Sequence, residues 1–197
     1  MDKKLRIMVF LIASILIAQT AYASSVAITN LGTLPGRVGS TAHCINDNGQ
    51  IVGESASAYD NFQLGLAHAF LWKNGVMTDL GTLPGGSNSY IGSYADGINN
   101  AGQIVGYSLT ASGDTHAFLW KNGVMSDLGT LGGSESYANG INNAGQIVGS
   151  SFNASESEHA FLWQNGVMTD IGSLSKGSYK YASDSAYGIN NAGQIVG

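Results

Sequence analysis

One cysteine, Cys44, stands in the 197 residues, so neither an internal disulfide framework nor a multi-thiolate metal cluster can be built. Proline is almost missing too. Two residues, with no Gly-X-Y period, exclude a collagen-like chain. Charged side chains make up 11% of the sequence, under half of the usual ~25%. With 44% of residues hydrophobic, a highly charged disordered chain is excluded as well. Basic residues are the scarcest charge, eight Lys and Arg against thirteen Asp and Glu. No basic stripe results, which argues against nucleic acid as a partner. What is abundant is glycine, 28 residues, about twice its ordinary share. Glycine at that level counts turns.

The first 23 residues read as a secretory signal. Lys3, Lys4 and Arg6 precede an apolar run from Ile7 to Ala18, and Ala21-Tyr22-Ala23 supplies small residues where a signal peptidase needs them. A run of that length spans about 18 Å of helix, short of a ~30 Å hydrocarbon core. Cleavage is expected between Ala23 and Ser24, leaving a secreted or periplasmic domain over 24–197 with no stable membrane insertion. That domain keeps five basic and twelve acidic residues.

Internal repetition organises it. Gly-Gln-Ile-Val-Gly begins at Gly49, Gly102, Gly145 and Gly193, at spacings of 53, 43 and 48. His-Ala-Phe-Leu-Trp begins at His68, His116 and His159. Asp-Leu-Gly-Thr-Leu begins at Asp79 and Asp127, with variants at Asn30 and Asp170. Short β-branched and aromatic runs joined by Asn and Gly are the hairpin pattern. The Lys-Asn-Gly between Trp120 and Val124 suits a three-residue hairpin loop with a G1 bulge. Each unit is therefore two hairpins, strands A, B, C and D of an antiparallel meander. The unit is the size of a β-propeller blade, with a β-solenoid as the second choice.

The expected fold class is all-β: four-stranded meander repeats, propeller-like, with three full blades and a partial one, in a ring left open or truncated. Units fall roughly at 44–92, 93–137, 138–182 and 183–197, preceded by a D-type strand over 26–34. This tally lacks one strand C, and open sheet edges favour self-association.

Loop lengths divide the array. The A–B and C–D turns never change, whereas the B–C and D–A connections vary between repeats. In a meander these fall at opposite ends of the sheet, and variable loops on one face of a repeat array commonly bind. The tyrosines after residue 23 all fall in stretches that vary, and tyrosine is a stiff amphipathic contact residue. The candidate binding residues are Tyr59, Phe62, Tyr90, Tyr94, Tyr107 and Tyr137.

Other chemistry is weaker. A ring of His68, His116 and His159 would bind Zn²⁺ or Cu²⁺ if strand C lined the axis; otherwise each imidazole makes a local hydrogen bond. Asp79, Asp127 and Asp170 share their position with Asn30, which suits a backbone-capping role and not a general base. Asn46-Asp47-Asn48-Gly49 lacks the carboxylate pattern of a calcium loop and reads as a plain turn. Glu54, Asp60, Asp96, Asp114, Glu135, Glu156, Glu158 and Asp184 differ from repeat to repeat and read as solvated acids. No nucleophile elbow, phosphate loop or His-Glu-x-x-His occurs.

The motifs His-Ala-Phe-Leu-Trp, Asn-Gly-Val-Met-Thr-Asp-Leu-Gly-Thr-Leu and Gly-Ile-Asn-Asn-Ala-Gly-Gln-Ile-Val-Gly resemble the HAF repeat family over residues 26–197. The resemblance implies export from a bacterial cell and brings no catalytic residues or cofactor. The expectation is a non-catalytic interaction module, without a cofactor, that meets a protein or glycan at the cell surface through its variable-loop face. Two alternatives stand beside it: a polysaccharide hydrolase or lyase, and a truncated remnant of a longer repeat protein.

Overall fold

The computed structural model describes residues 27–57, 66–86, 92–172 and 184–197. The expected signal, and Tyr59, Phe62 and Tyr90, lie outside the described residues. The chain divides into residues 1–30 and 31–197, and the architecture below is that of the second unit.

The described residues are all-β. Three four-stranded antiparallel meanders follow one another, and a two-stranded hairpin closes the series. The first sheet holds β1 (Gly39–Ile45), β2 (Ile51–Ala56), β3 (Ala67–Lys73) and β4 (Val76–Asp79). The second holds β5 (Ser93–Ile98), β6 (Ile104–Leu109), β7 (Thr115–Lys121) and β8 (Val124–Asp127). The third holds β9 (Gly132–Ile141), β10 (Ile147–Asn153), β11 (Glu158–Gln164) and β12 (Val167–Gly172). The hairpin is β13 (Gly188–Ile189) with β14 (Ile195–Val196). These are the expected strands A to D, with A and B in the last unit. The D-type strand expected over 26–34 is not formed in its described part, residues 27–34. A D strand pairs with the strand C of its own unit, and no His-Ala-Phe-Leu-Trp precedes it in this sequence. Leu34 N–H instead donates to Ser55 Oγ, as Leu83 N–H does to Ser108 and Leu131 N–H to Ser151.

Two glycine positions explain much of the motif. The C–D turn is a two-residue hairpin and not the expected three-residue loop with a bulge. Lys73 pairs with Val76, and Asn74 and Gly75 between them both have positive φ, 52° and 84°. That is a type I′ turn, which Asn-Gly adopts because neither residue resists the left-handed region. The last glycine of Gly-Gln-Ile-Val-Gly answers a different demand. A Cβ on Gly106 would lie 1.9 Å from the Tyr94 carbonyl oxygen, and one on Gly149 equally close to that of Tyr137. Only glycine lets strand B approach strand A there.

The blades stack through two unlike faces. One face offers Val105, Ala117, Leu119 and Leu128; the next blade meets it with Ala138, Ile141, Ile147, Phe161, Trp163 and Met168. The first seam repeats the pattern, with Val52, Ala69, Leu71 and Leu80 against Ala95, Ile98, Ile104, Phe118, Trp120 and Met125. Phe118 and Phe161 are wholly buried, each contributing about 2 kcal/mol of hydrophobic stabilisation.

Strand A is innermost. β5 packs against β1, β2 and β3, and β9 against β5, β6 and β7. The four A–B turns ring a cavity of about 270 Å³ lined by Asn46, Asn99, Asn142 and Asn190 with Ile45, Ile98, Ile141 and Ile189. An asparagine ladder ties these turns together. Asn99 Nδ2 donates to Gln103 Oε1 at 2.7 Å within its own turn and to the Asn142 carbonyl at 3.0 Å in the next. Asn46 and Asn142 make the same pair of bonds. Asn46 Oδ1 also accepts from Asn48 and Gln50 N–H, so Asn46-Asp47-Asn48-Gly49 is the plain turn its sequence suggests.

Candidate functional site

The alternative with strand C on the axis, and a ring of imidazoles, is not the arrangement the fold makes. Each histidine of strand C faces strand D of its own sheet instead. His68, His116 and His159 Nδ1 lie 2.7–2.8 Å from Asp79, Asp127 and Asp170 Oδ2. The other carboxylate oxygen accepts from Gly81, Gly129 or Gly172 N–H, as the capping role requires. Burial works to raise the Asp79 pKa, but the bonds from His68 and Gly81 leave it below the ordinary carboxylate value. Among the described residues no three His, Cys, Asp or Glu side chains are grouped to hold a metal ion.

The chemistry gathers on the innermost strand. Strand A of each four-stranded sheet carries a register break at an equivalent place: between Ala42 and Cys44 in β1 and between Ala95 and Gly97 in β5. In β9 the same break leaves Asn139 between Ala138 and Gly140 without a partner. A bulge of this kind re-aims the extra residue. The extra residues are His43, Asp96 and Asn139, three different side chains in one place. Each reaches across a seam. His43 Nδ1 lies 2.9 Å from Asp96 Oδ1 on the next blade, and Asn139 Nδ2 donates to Ser185 Oγ and the Ala186 carbonyl.

Two further positions point to the same region. On strand A, two residues before the bulge, stand Thr41, Tyr94 and Tyr137; on strand B, paired with them, stand Glu54, Tyr107 and Ser150. Tyr94 and Tyr107 stack at 4.9 Å with 15° between ring planes. Tyr107 meets Tyr137 of the next blade edge-on at 5.1 Å and 70°. Such pairs contribute about 0.5–1.5 kcal/mol each beyond the area they bury. All three rings are half-buried. They lie on strands β5, β6 and β9, away from the A–B turns, and not in the variable loops where the sequence suggested them.

Beside the tyrosines is an ionisable group of three. His43 touches Asp96 through Nδ1, and its Nε2 stands 2.9 Å from Glu54 Oε2. That second contact is too poorly aligned for a hydrogen bond, so the buried Glu54 oxygen has no hydrogen-bond partner. The side chains of His43, Asp96 and Glu54 are 30%, 24% and 15% exposed. Burial pushes the Asp96 carboxyl above its ordinary pKa, with Glu54 adding to the rise and His43 opposing it. The Tyr107 hydroxyl is pushed well above its usual value by burial, then by Asp96, Tyr94, Glu54 and Tyr137. Tyr137 is raised likewise, by burial and by Glu135, which accepts its hydroxyl at 2.7 Å.

Glu54 and Asp96 are thus not solvated loop acids, and His43 carried no signal as a single residue. The signal available in the sequence was variation inside constant blocks. In the three four-stranded units, Ser-x-Ala-x-Cys/Gly-Ile in strand A and Gly-x-Ser in strand B hold fixed residues around positions that vary, Tyr94 and Tyr137 being the one repeat among them. A cavity of about 350 Å³ lies elsewhere, among Ala160, Ile171, Tyr187 and Ile195.

No family model matches the chain, and no curated protein matches it in sequence. Two solved structures resemble its fold. One is an acylaminoacyl peptidase from Pyrococcus horikoshii, 17% identical, with a TM-score of 0.41 over 68% of this chain and 20% of that one. The other is a fucose lectin from Kordia zhangzhouensis, in complex with methyl-fucoside, 18% identical, with a TM-score of 0.36 over 68% of this chain and 99% of that one. The chain spans about a fifth of the peptidase. At these values neither likeness bears on what the chain does.

Proposed function

We propose that the chain is an exported repeat protein of the HAF type that acts as a non-catalytic binding module, with a glycan as its ligand. Its binding surface is the inner seam built by Tyr94, Tyr107 and Tyr137; the other expected binding residues, Tyr59, Phe62 and Tyr90, lie outside the described residues. The observation that carries the reading is the tyrosine cluster itself. Three rings from two blades are joined by stacking and left half-exposed, at positions where the other units carry Thr41, Glu54 and Ser150. The scaffold does not need tyrosine at these positions, since the same register is kept without it. Aromatic faces edged by carboxylates and hydroxyls match the alternation of C–H faces and hydroxyl rims on a sugar ring. The test is a printed glycan array probed with the full chain and with Tyr94→Ala and Tyr137→Ala. Loss of the glycan signal in both variants supports the reading, and an unchanged array rejects it.

A second reading, polysaccharide hydrolysis, draws on Glu54 and Asp96 lying on either side of one residue. Here the imidazole of His43 fills the space between the two carboxylates. A hydrolytic pair needs that space for the glycosidic oxygen and water. Release of reducing sugar that is lost in Glu54→Gln would favour this reading over the first.

A further inference from the structure

The outer faces of the first sheet and of the β13–β14 hairpin are the two halves of one seam. At each inner seam, strand B of one sheet supplies a valine and strand A of the next an isoleucine: Val52 with Ile98, and Val105 with Ile141. Val52 and Val105 are wholly buried, and Ile98 is 6% exposed. Their counterparts on the outer faces are open. Val196 on β14, in the place of Val52, is 67% exposed, and Ile45 on β1, in the place of Ile98, is 63% exposed. Tyr187 is exposed beside Val196. It holds the place of Asn139, whose amide crosses the third seam to Ser185 and Ala186.

The ladder of A–B turns splits in the same way. Inside the chain a turn donates twice to the next: Asn142 Nδ2 to the Asn190 carbonyl at 3.0 Å, and Asn143 N–H to Asn191 Oδ1 at 2.9 Å. Among the described residues, Asn190 Nδ2 donates only to Gln194, and Asn191 N–H to nothing. At the other side of the ladder, the Asn46 carbonyl accepts only from Gly49, whereas those of Asn99 and Asn142 accept a second bond from the preceding turn. Asp47 stands where Asn100 and Asn143 accept the preceding turn's N–H. Donors are left on one face and acceptors on the other.

We propose that these faces pair between two copies of the chain, the β13–β14 hairpin of one docking on the first sheet of the other. Val196 and Tyr187 of one copy meet the Ile45 side of its partner, and Asn190 and Asn191 donate toward the partner's Asn46 carbonyl and the partner's Asp47. An apolar patch alone would not name its occupant; donors and acceptors in the register of the ladder do. The two faces differ, so the contact is heterologous and runs head to tail instead of closing a symmetric pair. It is independent of the glycan reading.

Analytical ultracentrifugation of the full chain tests this, with association expected to rise with concentration between roughly 1 μM and 1 mM. Ile45→Asp and Val196→Asp each place a charge in the apolar part of the contact and should weaken it about ten-fold or more. Both positions face solvent, and circular dichroism reports whether the fold is kept. If Val196→Asp loses it, Tyr187→Asp replaces it on the same face; if Ile45→Asp does, Asp47→Lys replaces it. An equal mixture of the two variants separates this contact from any symmetric one. Ile45→Asp keeps an intact hairpin face and Val196→Asp an intact first-sheet face, so the mixture should recover a one-to-one pair and nothing larger. A chain that stays single at every concentration overturns the proposal. So does association that either variant leaves unchanged, or a mixture that behaves as the sum of its members.

Discussion

The A–B turn end of the array and the inner seam a few residues away share one backbone and behave oppositely. At the turns all four units repeat the bonds of Asn to Gln and of Asn Oδ1 to two backbone N–H groups, and the first three add Asn to the next turn's carbonyl. At the seam the backbone repeats its bulge, but the side chains become His43, Asp96 and Asn139, or Thr41, Tyr94 and Tyr137. Constant side chains mark positions where the fold itself consumes every polar group. Changing side chains in a constant register mark positions the fold leaves open. The division of labour in this protein runs between neighbouring residues of one strand.

Several substitutions would break that comparison if it is wrong. The largest effect is expected at Gly149→Val, where a side chain would be driven into the Tyr137 carbonyl. A loss of more than about 3 kcal/mol is predicted, from the displacement of strand B against strand A. Urea denaturation measures it. Next comes Asn142→Ala, which strands Gln146 Oε1 and the Asn190 carbonyl and removes the acceptor of two turn N–H groups. A loss of roughly 2–3 kcal/mol is expected in the same denaturation, with glycan binding per folded molecule unchanged. Tyr137→Ala should do the reverse, lowering stability by about 1–2 kcal/mol through the lost edge-on ring contact, half-buried ring area and hydroxyl bond to Glu135. It should cost glycan affinity about ten-fold or more.

The smallest effect concerns pH. Asp79 has a depressed pKa in the folded state, so its contribution is present above the ordinary carboxylate value of about 3.9 and fades as pH falls through the folded value. Asp79→Asn should therefore lower stability slightly at neutral pH, change little below the folded value, and so flatten the acid limb, as thermal melts across about pH 2–7 would show. The carboxylate is nearly half exposed, which keeps the change small.

Much of the fold was legible in the sequence. Strand order, the four-strand unit and the two unlike ends follow from local patterns, because Asn-Gly turns and alternating apolar runs encode hairpins without reference to the rest of the chain. Which strand lies innermost did not follow. Strands A and C both alternate apolar and polar residues, and the choice depends on how Phe118, Trp120 and Met125 of one blade fit Val52, Leu71 and Leu80 of another. The site was legible only in half. Tyr94, Tyr107 and Tyr137 were found by residue type, though placed in loops. His43 and the partners Glu54 and Asp96 were missed because the bulge that brings them together leaves no mark in composition. Only the repeat register, read position by position, singles them out.

The account stands most directly on the glycan array read for the Tyr94→Ala, Tyr137→Ala double variant beside the unaltered chain, at matched folded concentration. It predicts loss of glycan binding with the circular dichroism spectrum and cooperative unfolding retained. Binding kept in full by the folded double variant would contradict it, because the open positions of strand A would then carry no recognition.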